Sequence, residues 1–209
     1  MKIKIISFDL DGTLVDKNFD NSIWFEEIPK LYASKNKISF RNAKKFVFSE
    51  YAKFEKSHNW TDIGFWFNHF KLKNWKKIIN DLKKNIKPYS EVIPVLKKLK
   101  KKYKLIIVTQ ANMKFVKLKL KAEGLKKYFS YVFSTSSHFE QVNKTENIYK
   151  TILKKLKIKP CEIIHIGDNK RLDYIIPRKL GITSFLVKRS YKGKNKNILK
   201  NLKDLEKVL

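Results

Sequence analysis

Residues 2–15 read KIKIISFDLDGTLV, an apolar run that stops abruptly at a pair of carboxylates. Ile3, Ile5 and Ile6 give the first half the character of a strand covered on both faces, as in a parallel sheet. Asp9 and Asp11 close it, and a two-residue separation on extended backbone sends both carboxylates to the same side. Like charges held that close repel unless a proton or a divalent cation lies between them. Magnesium suits the pair, because it takes oxygen ligands and leaves positions for a substrate phosphate. Gly12 permits a tight backbone turn beside the ligand.

Downstream of this strand the pattern turns helical. Ser22 is expected to cap a helix through Tyr32, and Ser39 another running through Phe46, Val47 and Tyr51. Further helical stretches fall near Ile63 to Phe70 and Trp75 to Leu82. All four tryptophans lie in this block, where aromatic stripes at helical spacing read as the core of a small bundle. Residues 16–88 therefore read as a small all-helical module between residues 1–15 and 89–209.

After Pro88 helices and strands alternate. SEVIPVLKKLKKKY reads as a helix with Ser90 near its start, and KLIIVT as the strand it feeds. A helix from Met113 to Glu123 is closed by Gly124, and YVFS from Tyr131 is the next strand. A helix from Glu146 to Leu156, a strand EIIHI, a helix from Leu172 to Leu180, a strand TSFLV and a terminal helix from Ile198 to Val208 complete the pattern. Such alternation predicts an α/β fold, a mostly parallel sheet with helices on both faces. Ligands gather at the carboxyl ends of such strands. Asp9 and Asp11, Thr109 and Asp168 all fall at those ends.

Bulk properties narrow the function further. The formal charge is +29, yet only Arg41, Arg171, Arg178 and Arg189 are arginines. Sequence-specific nucleic-acid sites rely on the planar fork of arginine, so scattered lysine points to general attraction of anions instead. The lysine-dense segment KRSYKGKNKN, residues 188–197, reads as a solvated loop. No apolar run approaches the ~20 residues that cross a bilayer, and no secretory leader is evident, so a cytoplasmic protein without membrane partners is expected. Cys161, the single cysteine, is expected to be a buried structural residue.

Taken together, these segments resemble the haloacid dehalogenase superfamily of hydrolases. DLDGTLV is similar to its first motif, LIIVTQAN to its second with Thr109 as the phosphate-holding residue, and HIGDNKRLD to its fourth with Asp168 and Asp173 at the acidic positions. The third motif commonly carries a lysine followed by proline; NKTENIYK lacks the proline, and Lys144 is the assignment. The resemblance implies a Mg2+-dependent phosphatase acting on a small phosphorylated metabolite, with residues 1–15 and 89–209 as a Rossmann-like catalytic core and residues 16–88 as a helical cap domain. Asp9 would be the nucleophile that becomes an aspartyl phosphate, and Asp11 the general acid and then base. Thr109, Gln110 and Lys144 would hold the phosphoryl group. Magnesium would be held by Asp9, the Asp11 carbonyl and Asp168, with Asn169 and Asp173 behind them and Asp173 orienting Lys144 or water at the metal.

Dehalogenases of the superfamily lack the second aspartate, so Asp11 argues for phosphoryl chemistry. A phosphomutase remains an alternative, as does a non-catalytic anion- or nucleic-acid-binding protein. Within the cap, His58, Trp60, Phe65, Trp66 and His69 are candidate substrate contacts, and hinges are expected near Val15 to Asn18 and Ile86 to Tyr89. Substrate identity and oligomeric state stay open.

Overall fold

Alternate residues of the first strand point into two different cores. In the computed structural model, which describes residues 2–209, Ile6 and Phe8 of β1 (Ile5–Phe8) join one apolar cluster while Ile5 joins another. Neighbouring β2 (Lys104–Thr109) divides the same way, Leu105 and Ile107 to one side, Ile106 and Val108 to the other. This two-residue period with both faces apolar is why the strands carry so little lysine in so basic a chain.

β3 (Tyr131–Ser134), β4 (Ile163–Gly167), β5 (Thr183–Val187) and β6 (Ile198–Leu199) complete one sheet of six strands in the order β3-β2-β1-β4-β5-β6. Every neighbouring pair is parallel. The chain winds outward from β1 through β2 to β3, then returns to lay β4 against the other side of β1. A crevice opens at the carboxyl ends where the winding reverses.

Between Asp16 and Pro88 lie α1 (Asn18–Asn21), α2 (Ile28–Asn36), α3 (Phe40–Lys53), α4 (Ile63–His69) and α5 (Trp75–Leu82). The two ends of this segment meet: Val15 bridges Pro88, the Asp16 amide donates to the Lys87 carbonyl at 2.9 Å, and the Tyr89 amide to that of Leu14 at 3.2 Å. α6 (Val92–Leu99) and α7 (Met113–Ala122) supply Leu96 and Val116 to the larger core. After α8 (Thr135–Phe139), α9 (Glu146–Leu156) and α10 (Ile176–Lys179) pack Ile152 and Ile176 on the opposite face. No helix among the described residues is long and apolar enough to cross a membrane.

Ser39 caps α3, accepting from the Asn42 amide at 3.3 Å, as its position predicts. Ser22 does not cap. It lies in a π-helical stretch, Ser22–Glu27, that joins α1 to α2, and its hydroxyl donates back to the Asn18 carbonyl at 2.7 Å. The helical run starts earlier because Asp16 accepts from the Asn18 amide at 3.1 Å. The expected terminal helix is also corrected: Ile198 and Leu199 pair with Leu186 and Val187 as β6, and only Leu202–Lys207 turns, as a 3-10 helix. Cys161 is half-buried rather than buried. In the loop expected to be solvated, Arg189 turns inward; its guanidinium stacks 3.3 Å over the Tyr89 ring, pairs with Glu91 at 2.8 Å and donates to the Gly12 and Thr13 carbonyls.

Candidate active site

β1 ends at Asp9, whose amide extends the sheet by donating to the Ile166 carbonyl at 2.8 Å. Asp9 Oδ1 accepts from Lys144 Nζ at 2.6 Å. Lys144 is 1% exposed and sits one residue before Thr145, the cap of α9, so the helix start fixes where its ammonium lies. The same ammonium donates to Asp173 Oδ1. Asp173 also accepts from the Asn169 amide at 3.0 Å and lies 3.1 Å from His165 Nε2. His165 Nδ1 is in turn 2.8 Å from Ser7 Oγ, directly across the β1–β4 register. A buried polar chain therefore runs from Ser7 through His165, Asp173 and Lys144 to Asp9. Sequence reasoning missed Ser7 and His165, although both are polar residues in otherwise apolar strands.

Two glycines make room for these acids. Gly12 has φ +82°, and a Cβ there would collide with the Asp168 carboxylate and the Lys17 side chain. A Cβ on Gly167 would lie inside the Asp173 side chain. Asp168 Oδ2 meets Lys17 Nζ at 2.7 Å. Carboxylate oxygens of Asp9, Asp168 and Asp173 all lie within 4.8 Å of one another. Asp173 thus stands beside the other two acids, with its Oδ1 taken by the Lys144 ammonium.

Burial pushes the Asp9 carboxyl up to about 7; Lys144 opposes the rise, and Asp173 and Asp168 add to it. Asp173 shows the opposite balance. Burial would raise it, but Lys144 and the His165 hydrogen bond hold it below the usual carboxylate range. Lys144 is raised because the two aspartates outweigh its own burial, so it remains an ammonium. Burial pushes His165 down, favouring the neutral ring.

Asp11 faces a different cation. Its Oδ1 accepts from Lys119 Nζ at 2.5 Å, and the same ammonium reaches Asp20 Oδ2 at 2.6 Å. Burial and the neighbouring Asp11 push Asp20 up to about 6 against the pull of Lys119. Nothing in the sequence marked Lys119 among so many lysines. Thr109, at the end of β2, is 1% exposed, and its Oγ1 accepts from the Ala111 amide at 3.2 Å. Gln110 Nε2 donates to the Val142 carbonyl at 3.0 Å and to Asn143 Oδ1 at 3.1 Å, anchoring the loop that precedes Lys144. Asn169 caps the following turn, accepting from the Arg171 and Leu172 amides at 3.0 Å.

Asp9, Asp11, Asp20, Thr109 and Asp168 line a cavity of about 320 Å³, and Lys144 and Lys119 are buried behind them. Its walls are aromatic, with Trp24, Phe25, Tyr51, Trp60 and Phe115. Of the candidate cap contacts, Trp60 and Trp66 line it; Phe65 and His69 stack on one another, and His69 Nε2 lies 2.9 Å from Glu50.

The chain is similar to known proteins over most of its length. GMP/IMP nucleotidase YrfG of Escherichia coli is 22% identical over 171 residues, covering 81% of this chain and 76% of that protein. The crystal structure of a HAD phosphatase from Thermococcus onnurineus is similar with a TM-score of 0.85 at 25% identity, over 99% of this chain and 97% of that one. The HAD-hydrolase YfnB from Bacillus subtilis, bound to magnesium, shares the fold with a TM-score of 0.71 at 14% identity, over 100% and 99% of the chains. The profile of the haloacid dehalogenase-like hydrolases matches residues 6–187, and the chain belongs to that family as a phosphatase-like member.

Proposed function

We propose that the protein is a magnesium-dependent phosphatase that transfers the phosphoryl group of a small phosphomonoester to Asp9 and then to water. The observation that carries this is the Asp9 carboxylate on the floor of an aromatic-walled cavity, tied to Lys144, with Thr109 and Asp11 lining the same space. The donor set fits the ion, since Asp9, Asp168 and Asp173 offer only hard oxygen ligands within 4.8 Å. Asp9 and Asp168 would hold it, together with the Asp11 carbonyl. When bound, magnesium supplies positive charge that offsets repulsion between an anionic nucleophile and an anionic phosphate.

The protein's own groups do the rest. An Asp9 oxygen attacks phosphorus, and the bond to the leaving oxygen breaks as Asp11 delivers its proton. Asp11, now ionised, takes a proton from the water that attacks the aspartyl phosphate. Lys144 and Thr109 bind phosphoryl oxygens, and Asp173 keeps Lys144 aimed. Residues 16–88 act as a cap that opens on the paired connections at Val15 and Pro88 and closes over the substrate. Aromatic walls suit a planar leaving group, and the likeness to a GMP/IMP nucleotidase supports purine nucleoside monophosphates as the first substrates to test.

The test is trapping. Asp9→Asn should abolish turnover. Asp11→Asn, given an aryl phosphate with a good leaving group, should accumulate a hydroxylamine-sensitive phosphoprotein that disappears when Asp9 is also replaced. Phosphate trapped on another residue, wild-type turnover by Asp9→Asn, or transfer to a second position of the substrate instead of to water would sink the proposal.

A further inference from the structure

Lys119 is 0% exposed, in a chain whose other lysines outside the site mostly face solvent. It lies on α7 beside Phe115, Val116 and Leu120, positions that the helix turns into the core. Its ammonium lies 5.5 Å from the Phe19 ring centroid and 5.8 Å from that of Phe115. An ammonium enclosed this way is held only by partners that match it, and here there are two carboxylates. Asp11 belongs to the loop after β1, and Asp20 to α1 at the start of the helical segment. One buried cation therefore joins the acid–base carboxylate to the segment proposed as the cap.

We infer that Lys119 is a positioning residue for the acid–base step: it holds the Asp11 carboxylate toward the leaving oxygen and, through Asp20, couples that orientation to the seating of α1. The inference rests on the phosphatase reading above. Lys119 donates to Asp11 and Asp20, and it acts on the leaving group through Asp11. Without it, Asp11 is free to turn away and faces the negative charge of Asp20. Departure of the leaving group would then proceed without a correctly placed proton donor.

Leaving-group dependence separates this role from a structural one. An alkoxide needs the proton, whereas a nitrophenolate leaves without it. In Lys119→Met, kcat/KM for alkyl phosphates should fall on the order of ten- to a hundred-fold, while that for 4-nitrophenyl phosphate falls far less. In an Asp11→Asn background the same substitution should add little, because both changes remove one function. Asp20→Asn, nearly isosteric, should show the same substrate pattern more weakly, and it decides the matter alone if Lys119→Met does not fold. Equal losses across both substrate types, no loss, or losses that multiply with those of Asp11→Asn would overturn the inference while leaving Asp9-dependent hydrolysis standing. Absence of Asp9-dependent hydrolysis in the wild type would instead remove the phosphatase reading, and this inference with it.

Discussion

Lys144 Nζ donates to Asp9 Oδ1 at 2.6 Å and at the same time to Asp173 Oδ1, so one buried cation stands between two buried carboxylates. Breaking such an arrangement from one side leaves charge without compensation. Lys144→Met should destabilise the metal-free protein by about 3–5 kcal/mol at pH 8 and by less at pH 5, where Asp9 takes up a proton. Turnover should fall roughly 10²- to 10³-fold. Urea unfolding at the two pH values checks the first part; an equal cost at both would show that Asp9 does not titrate as its environment dictates.

Asp9 and Asp20 are both raised in the folded protein, to about 7 and about 6, from an ordinary aspartate value of 3.8. A carboxyl raised on folding contributes stability below its unfolded pKa and loses it as pH climbs through the folded one. Asp173, held low, acts with the opposite sign and weakens the fold only in acid. His165, also held low, gains stability as pH rises toward 6.5 and offsets part of this, so metal-free protein should lose on the order of 1–3 kcal/mol between pH 5 and pH 8. Magnesium should restore part of it at pH 8, by about 1–3 kcal/mol at saturating concentrations. A urea midpoint in EDTA that rises over this range would contradict the expectation.

Arg189 clamps the first-motif loop, donating to the Gly12 and Thr13 carbonyls while stacking on Tyr89 and pairing with Glu91. Lysine can keep the charge but not the planar stack or the paired donors. Arg189→Lys should cost about 1–3 kcal/mol and raise KM, because the loop bearing Asp11 loses its support. Thermal unfolding and steady-state kinetics test this, and unchanged values for both would refute it.

Gly167→Ala places a methyl group where the Asp173 side chain lies, and Gly12→Ala places one against the Asp168 carboxylate. Each should cost about 1–3 kcal/mol and nearly all turnover, since the displaced group is an acid of the site. Magnesium titration by calorimetry should show weaker binding in both. Binding at wild-type strength would mean that the acids tolerate displacement.

Trp24 and Trp60 wall the cavity from the helical segment. Trp60→Ala should raise KM for purine nucleoside monophosphates about ten-fold or more while barely changing that for a small alkyl phosphate. A uniform loss across substrates would assign Trp60 to packing, in which Trp66 Nε1 already donates to its carbonyl at 3.0 Å.

The succession of strands and helices through β5, the carboxyl-end placement of Asp9, Thr109 and Asp168, and most helix limits were legible in the chain, because each rests on local periodicity and capping, whereas the strand order was not. Trp75–Leu82 and Glu146–Leu156 form helices at the limits read from sequence. Ile198–Leu199 was misread because two apolar residues become a strand only when the edge of β5 is there to pair with them. Likewise, the motifs marked Asp11 and Lys144 by their spacing along the chain. Only the tertiary structure decided which lysines are buried, that Lys119 bridges residues 99 and 108 positions away, and that His165 backs Asp173. Charge neutralisation inside a protein depends on which distant segments the fold brings together, and a one-dimensional pattern holds no record of that distance.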